Sequence, residues 1–514
     1  MRIDKLHIVE FKNLKDFNID FNEEVLTNVL IGQNGFGKSN VFEALVIIFR
    51  DLDLNKAAQF SYKINYICNG IDVYIQGIEK TKKYKIKING EELSYKQLIE
   101  KDQDGNPKYL PRFVFAYYSG TSERLKKLFN PHQNLFYRNM LNDQDDALRP
   151  FFYARLIHSH FVLLAFFSFQ ETRLNDFLKE YLQIAELESV LFVLKRPVWD
   201  KKKKGTYALN DFWGAKGAVR GFIDELHQLA LAPISEQITV ENGFKKSKEE
   251  VTYLYIKDEN SLRALAERYV NNQNFFKYLE STYLSDLILE VRIQVKKTDG
   301  TTITFNELSE GEQQLLTVFG LLKFTKDSES LFLLDEPDTH LNPKWKFDYL
   351  DLLKDVVGDS EGSQLIISTH DPLVIGGLSS EQVTIFSSID GVVNTRNPYF
   401  DPKGMGVAGL LTSELFDLKT TVDPDTQRKI DRKRELMYKD NRTKADEEEI
   451  KRISKELGVL DYTRTIRDPL YERFARAVTR VEAFKEPILS QDDLIEQEII
   501  ADKILAEILK EEEL

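Results

Sequence analysis

Apolar positions recur with three different rhythms along this chain of 514 residues. Over residues 2–31 they alternate or cluster, through Ile3, Leu6, Ile8 and Phe11, then Phe17, Ile19 and Phe21, ending in Asn28-Val29-Leu30-Ile31. That pattern predicts two or three strands, the last of them buried. From Ser39 to Phe49 the period becomes helical, with Val41, Phe42, Leu45, Ile48 and Phe49 on the repeat. Residues 61–90 alternate again and read as a hairpin-rich sheet edge, with Asn89-Gly90 as a turn. Phe113–Tyr118 is a further apolar strand.

From roughly 121 to 280, long segments rich in Leu and Phe predict an inserted helical domain with few strand signals. Strand character returns at 287–293 and 301–305. Leu331–Leu334 and Gln364–Ser368 are short, largely apolar runs of the sort buried in a mixed or parallel sheet. Beyond 400 come a Gly/Met stretch, a charged helical region over 424–457 and a helical tail. The expected division is 1–120 and 286–400 for an α/β core with a mixed sheet, 121–285 for the helical insertion, 401–480 for a helical extension and 481–514 for an amphipathic tail helix.

Composition narrows the classes. Hydrophobic residues are 42% and charged residues 30%, ordinary for a soluble globular protein. A formal net charge of −13 argues against a generally basic, nucleic-acid-coating surface while leaving room for a local basic groove. The single cysteine, Cys68, excludes an internal disulfide framework and fits a reducing compartment. Arg2, Asp4 and Lys5 stand where a secretion signal needs an apolar run, and Phe161–Phe169 is too short to span a bilayer. The expectation is a cytoplasmic protein with no membrane segment.

Two clusters carry chemistry. Gly32-x4-Gly37-Lys38-Ser39 has the spacing of a phosphate-binding loop, and it lies between a strand and a helix. Its glycines let backbone N–H groups turn toward an anion, Lys38 reaches the terminal phosphates and Ser39 can hold Mg²⁺. Asn34, Gly35 and Asn40 complete the candidate nucleotide-binding set with Gly32 and Gly37. The bland alternative, a glycine-rich surface turn, does not explain the strand before and the helix after. Asp335-Glu336 closes an apolar run, where one carboxylate can support Mg²⁺ and the next can orient an attacking water. His370 closes the following run.

In chain order, Gly32–Ser39, Leu308–Gln314, Leu331–Glu336 and His370 resemble the Walker A, signature, Walker B and switch-histidine motifs of ABC-type ATPases of the SMC/RecF branch. The resemblance implies ATP and Mg²⁺ as ligands, with Lys38 and Ser39 on phosphates and metal, Asp335 on the metal, Glu336 as catalytic base and His370 on the γ-phosphate. Ser309, Gly311, Glu312 and Gln313 would meet the triphosphate held by a second copy, which implies a homodimer or higher homo-oligomer. Glu310 and Glu312 replace the Gly and Gln usual in transporter members. Two glutamines, Gln59 and Gln76, compete for the family's Q-loop position.

Gly404–Phe416 and Asp461–Tyr471 are similar to segments of restriction-associated ATPases and, more loosely, of the PtuA ATPases of the Septu anti-phage system. That resemblance implies a regulatory ATPase of a prokaryotic defence complex, controlling a separate HNH-type nuclease, with no nuclease chemistry in this chain. The apolar face of the tail, over 490–514, is the expected docking element. The runs at Lys82–Lys87 and Lys201–Lys204 leave DNA open as a partner. A RecF-like DNA-repair ATPase and an ATP-stabilised scaffold without catalysis are the rival readings.

Overall fold

The computed structural model describes residues 1–457 except 23, 26, 104, 142–148, 170–171, 201–210, 243–244, 326–328, 358–361 and 440, together with 495, 497 and 499–505. It divides into two compact units, one of Met1–Val374 with Phe386–Arg396, the other of Ile375–Ile385 with Asn397–Leu514. Among the described residues no helix is long and apolar enough to cross a membrane.

A seven-stranded sheet runs in the order Val392–Arg396, Val383–Ile389, Thr27–Gly32, Ser363–Ser368, Ser330–Asp335, Phe113–Tyr118, Phe151–Tyr153. The strands from Thr27–Gly32 to Phe151–Tyr153 pair in parallel, so their C-terminal ends share one edge. Ser330–Asp335 and Ser363–Ser368 are buried at every position, as expected for strands covered on both faces. A second sheet is antiparallel, in the order Leu14–Asp20, Arg2–Phe11, Tyr62–Cys68, Ile71–Gly77, Tyr84–Ile88, Glu91–Leu93. The helix Lys38–Asp53 belongs to the core shared by the two sheets and is buried from Val41 to Leu52. Its apolar residues therefore run round most of its circumference instead of forming one stripe.

The expected strands and the expected helix of this core are present. The insertion differs. Residues 121–285 contain helices such as Arg124–Leu141, Ile157–Ser168, Gly217–Leu229 and Asn272–Leu284, but also the strands Ile184–Lys195, Leu231–Asn242 and Lys245–Ile256. With Ile288–Lys297 and Thr302–Thr304 these form a five-stranded antiparallel sheet, so the insertion is mixed, not purely helical. The apolar run Leu191–Leu194 fits helix and strand equally by pattern, and pairing on both sides decides for strand.

The second unit holds the helices Gly406–Thr412, Pro424–Met437 and Lys444–Leu457, in line with the expected helical extension. The last two pack through Ile430, Leu436, Ile453 and Leu457, with Arg432 bridging to Glu449 at 3.1 Å. Asp461–Tyr471, Lys201–Lys204 and most of the proposed docking tail lie outside the described residues. Of the tail, Ile495, Ile499 and Leu505 are exposed.

Candidate functional site

The glycine loop follows the buried strand Thr27–Gly32 and leads into the helix Lys38–Asp53. Gly32, Gly35 and Gly37 have φ of 138°, 87° and 97°, conformations that side chains disfavour. A Cβ on Gly32 would stand 2.5 Å from the Phe386 carbonyl oxygen, and one on Gly37 would stand 2.8 Å from Leu14 Cδ2. Only glycine fits either place. No side chain caps the helix, so its first N–H groups stay available to an anion.

Lys38 is buried and folds back on the loop, donating from Nζ to the carbonyl oxygens of Gly32 (2.6 Å) and Gln33 (3.3 Å). Burial brings its pKa down to about 8, opposed by the charges of Glu336 and Asp335. The lysine is thus close enough to both carboxylates to feel them, and a triphosphate would offer it better acceptors than two carbonyls.

Asp335 and Glu336 end the central parallel strand. Asp335 is buried, accepts a hydrogen bond from Ser368 Oγ and is also hydrogen-bonded to Ser39. Burial raises its pKa while those two hydroxyls oppose the rise. Ser39 and Asp335, expected to share Mg²⁺, are therefore in contact: one hydroxyl and one carboxylate at the phosphate loop form an all-oxygen pair that suits this ion. Glu336 adopts φ 52° and is turned by its N–H onto the Ser368 carbonyl at 3.0 Å. A non-glycine residue in that region carries strain, which is common where a side chain must be aimed. Its Oε1 lies 3.1 Å from His370 Nε2, and this hydrogen bond is the main reason its pKa falls below the usual glutamate range. Lys38, Ser39, Asp335, Glu336 and His370 thus meet at one edge of the parallel sheet.

The second cluster lies at the start of the helix Glu310–Thr325. Ser309 is exposed ahead of the helix Glu310–Thr325. Its N–H and hydroxyl both donate to Glu312 Oε2, at 2.7 and 2.8 Å, and Ser309 Oγ accepts from the Glu312 N–H at 3.3 Å. This is a reciprocal cap of the helix tip. Glu312 is further tied to Lys297 at 3.1 Å, and Gln313 Nε2 donates to the Leu308 carbonyl at 3.0 Å. Gly311 allows close approach to the loop after Glu336, since a Cβ there would meet the His340 carbonyl oxygen at 2.6 Å. Gly320, on the same helix, makes room for Val162 of the insertion helix Ile157–Ser168, 2.1 Å from where its Cβ would be. The insertion therefore bears directly on the helix carrying Ser309.

Several residues escaped the sequence reading. Asn13, in the turn between the first two strands, donates from Nδ2 to the Gly35 carbonyl at 2.8 Å and accepts from Asn40 Nδ2 at 2.7 Å. Asn40, expected to touch nucleotide, donates its side-chain amide to this clamp; Asn34 and Gly35 are exposed at the loop tip. Ser368, Thr369 and Asp338 form a buried hydroxyl and carboxyl layer behind Asp335 and Glu336. Gln76 lies in the antiparallel sheet, in register with Lys63 and Lys85, and Gln59 is exposed in a loop. The residues in register with Asp335 are Tyr118 and Ser368, so the parallel sheet presents a tyrosine rather than a glutamine at that edge.

Comparison with known proteins agrees with this chemistry. The Septu protein PtuA of Bacillus mycoides (strain KBAB4) is 28% identical over 207 residues, 37% of this chain, and the match spans only 28% of that protein's length. The Retron Vc95 probable ATPase of Vibrio cholerae serotype O1 biovar El Tor is 22% identical over 80% of this chain and 78% of its own. The Retron Ec83 probable ATPase of Escherichia coli is 20% identical over 84% and 79%. Among solved structures, the SMC head domain from Thermotoga maritima matches 77% of this chain and 99% of its own at 15% identity, with a TM-score of 0.32. Residues 1–375, well over half the chain, match the AAA ATPase domain family. With a phosphate loop, a paired acidic strand end and a histidine gathered within those residues, the chain belongs to the AAA ATPase domain family.

Proposed function

We propose that this chain binds Mg²⁺-ATP at the sheet edge and hydrolyses it between two copies of itself, acting as the ATPase subunit of an anti-phage defence assembly. The reading rests on one observation above the rest: Lys38, Ser39, Asp335, Glu336 and His370 converge, although up to some 330 residues of sequence separate them. Lys38 and the glycine-loop N–H groups hold the phosphates. Ser39 and Asp335 hold Mg²⁺, which would neutralise charge building on the phosphoryl oxygens. Glu336, ionised and lowered in pKa by His370, accepts a proton from the attacking water as it is oriented toward the γ-phosphorus. Ser309 and the helix tip behind it, from a second copy, cover the γ-phosphate and stabilise transferred charge.

The defence role is supported by the names of the relatives, Septu PtuA and two retron ATPases. On that reading, ATP-dependent closure of two copies gates a separate nuclease, of HNH type by the family resemblance, with residues 490–514 as the docking element. Two experiments test the reading. The purified chain should hydrolyse ATP only with Mg²⁺, and a protein that binds ATP without turnover would leave a scaffold in its place. Co-expression with the product of the adjacent reading frame should recover a complex with the full chain and lose it without 490–514. DNA-stimulated, salt-sensitive turnover with no co-purifying partner would favour the repair reading instead.

A further inference from the structure

Beyond Glu336 lies a carboxyl to which the proposed ATP site assigns no role. Asp338 is 4% exposed, and its Oδ2 accepts a hydrogen bond from Thr369 Oγ1 at 3.0 Å. Its Oδ1 is buried without a hydrogen-bond partner among the described residues, as is the hydroxyl of fully buried Tyr349 on the helix Pro343–Val357. The charged groups facing Asp338 are Asp371 and Lys346, themselves paired at 2.7 Å. A carboxyl so placed is costly to bury, which makes a purely structural reason for it weak.

Its connections run in three directions. Thr369 is wholly buried between the strand Ser363–Ser368 and His370, and its N–H donates to the Leu30 carbonyl at 3.2 Å, on the strand that feeds the glycine loop. The Pro337 carbonyl, one residue before Asp338, accepts from Gln314 Nε2 on the helix that follows Ser309. Three residues after it, the Leu341 N–H donates to the Asp338 carbonyl at 3.1 Å and closes the turn. The loop also begins at a strained residue, Glu336, whose geometry persists only if its surroundings over-determine it.

We propose that Asp338 is a positioning residue: its bond to Thr369 clamps the Glu336–Leu341 loop so that the catalytic carboxylate and the signature helix of one chain move as a single body. The inference rests on the ATPase reading and adds a part to it. Without the clamp, Glu336 loses its fixed aim and Ser309 loses its fixed relation to the neighbouring phosphate site, while the glycine loop that binds ATP is left intact.

The test compares Asp338→Ala, Asp338→Asn and Thr369→Val in the full chain. Asp338→Ala should lower kcat by about 10- to 100-fold, as small misplacements of reacting groups do, with the ATP Kd changed by less than about threefold. Asp338→Asn keeps an oxygen for Thr369 and should retain at least about a third of the wild-type kcat. Thr369→Val should reproduce most of the loss, and Thr369→Val added to Asp338→Ala should cost little more, since both remove one bond. The proposal is overturned if Asp338→Ala turns over like wild type, or if kcat, affinity and Tm fall together in Asp338→Asn as well. A wild-type chain without turnover would sink the hydrolysis reading by itself. The clamp would then be read from self-association in a non-hydrolysable ATP analogue, followed by light scattering: retained in Asp338→Asn and lost in Asp338→Ala if it holds, equal in both if it does not.

Discussion

On the shared-site reading, two regions of this molecule meet triphosphate, the sheet edge its own and the tip of the Glu310–Thr325 helix that of a second copy, and they are prepared for it differently. At the sheet edge, five side chains from distant segments already touch or feel one another, with Lys38 resting on its own loop and Glu336 on His370. At the tip of the Glu310–Thr325 helix, Ser309 is exposed and its hydrogen-bonding capacity is satisfied by Glu312 of the same turn. The first half is preorganised; the second is closed on itself. A γ-phosphate arriving at Ser309 must displace a carboxylate that now occupies the helix N-terminus, where an anion is favoured. On the shared-site reading, binding can therefore be strong in one copy, whereas hydrolysis waits for a second.

The largest effects should come from breaking the preorganised half. Glu336→Gln should bind ATP and lower kcat by about 10²- to 10³-fold, read in single-turnover assays. Lys38→Ala should instead raise the ATP Kd by at least about 10²-fold, measured by isothermal titration, because the lysine is the buried charged donor of the loop. Normal turnover by the Glu336→Gln protein would overturn the assignment of the base.

Next in size, Ser309→Arg should leave ATP affinity within about twofold while lowering kcat by about 10²-fold, since it touches only the partner's substrate. Equal loss of binding and turnover would mean that both halves act in one copy.

A smaller effect sharpens the first half alone. Asn13→Ala removes two hydrogen bonds from the glycine loop and should weaken ATP binding by about tenfold with little change in kcat.

The pH dependence is smallest. Lys38 binds phosphate in its charged form and, with burial holding its pKa to about 8, is charged below that value. ATP affinity should be flat below about pH 8 and fall by no more than about tenfold per unit above it, until the phosphate-bound pKa is passed. Lys38→Ala should show no such fall.

The same contrast explains what could be read from the sequence. Three buried strands of the parallel sheet are short apolar runs that end in, or two residues before, a candidate site residue, Gly32, Asp335 or His370, so their order and the candidate chemistry were legible. Asn13, Ser368 and Asp338 were not, because each acts by meeting a residue far away in sequence, and a lone Asn in a turn or Ser at a strand end carries no spacing signal. In the insertion, the strand Leu231–Asn242 is exposed at most of its described positions and lacks the burial alternation that marks a half-buried strand. Its pairing with Lys245–Ile256 is a tertiary fact. Glu312 matched the signature by position, but only the fold reveals that its carboxylate caps its own helix.

The account turns on each chain completing the other's site, and mixing two inactive variants tests this most directly. Lys38→Ala lacks a working phosphate loop and Ser309→Arg lacks a working helix tip, so an equimolar mixture forms heterodimers in which one of the two sites is intact. ATPase activity of the mixture should recover to about a quarter of the wild-type rate at equal total protein, as random pairing in a two-fold dimer requires. A mixture no faster than the mean of its two components would contradict the shared site.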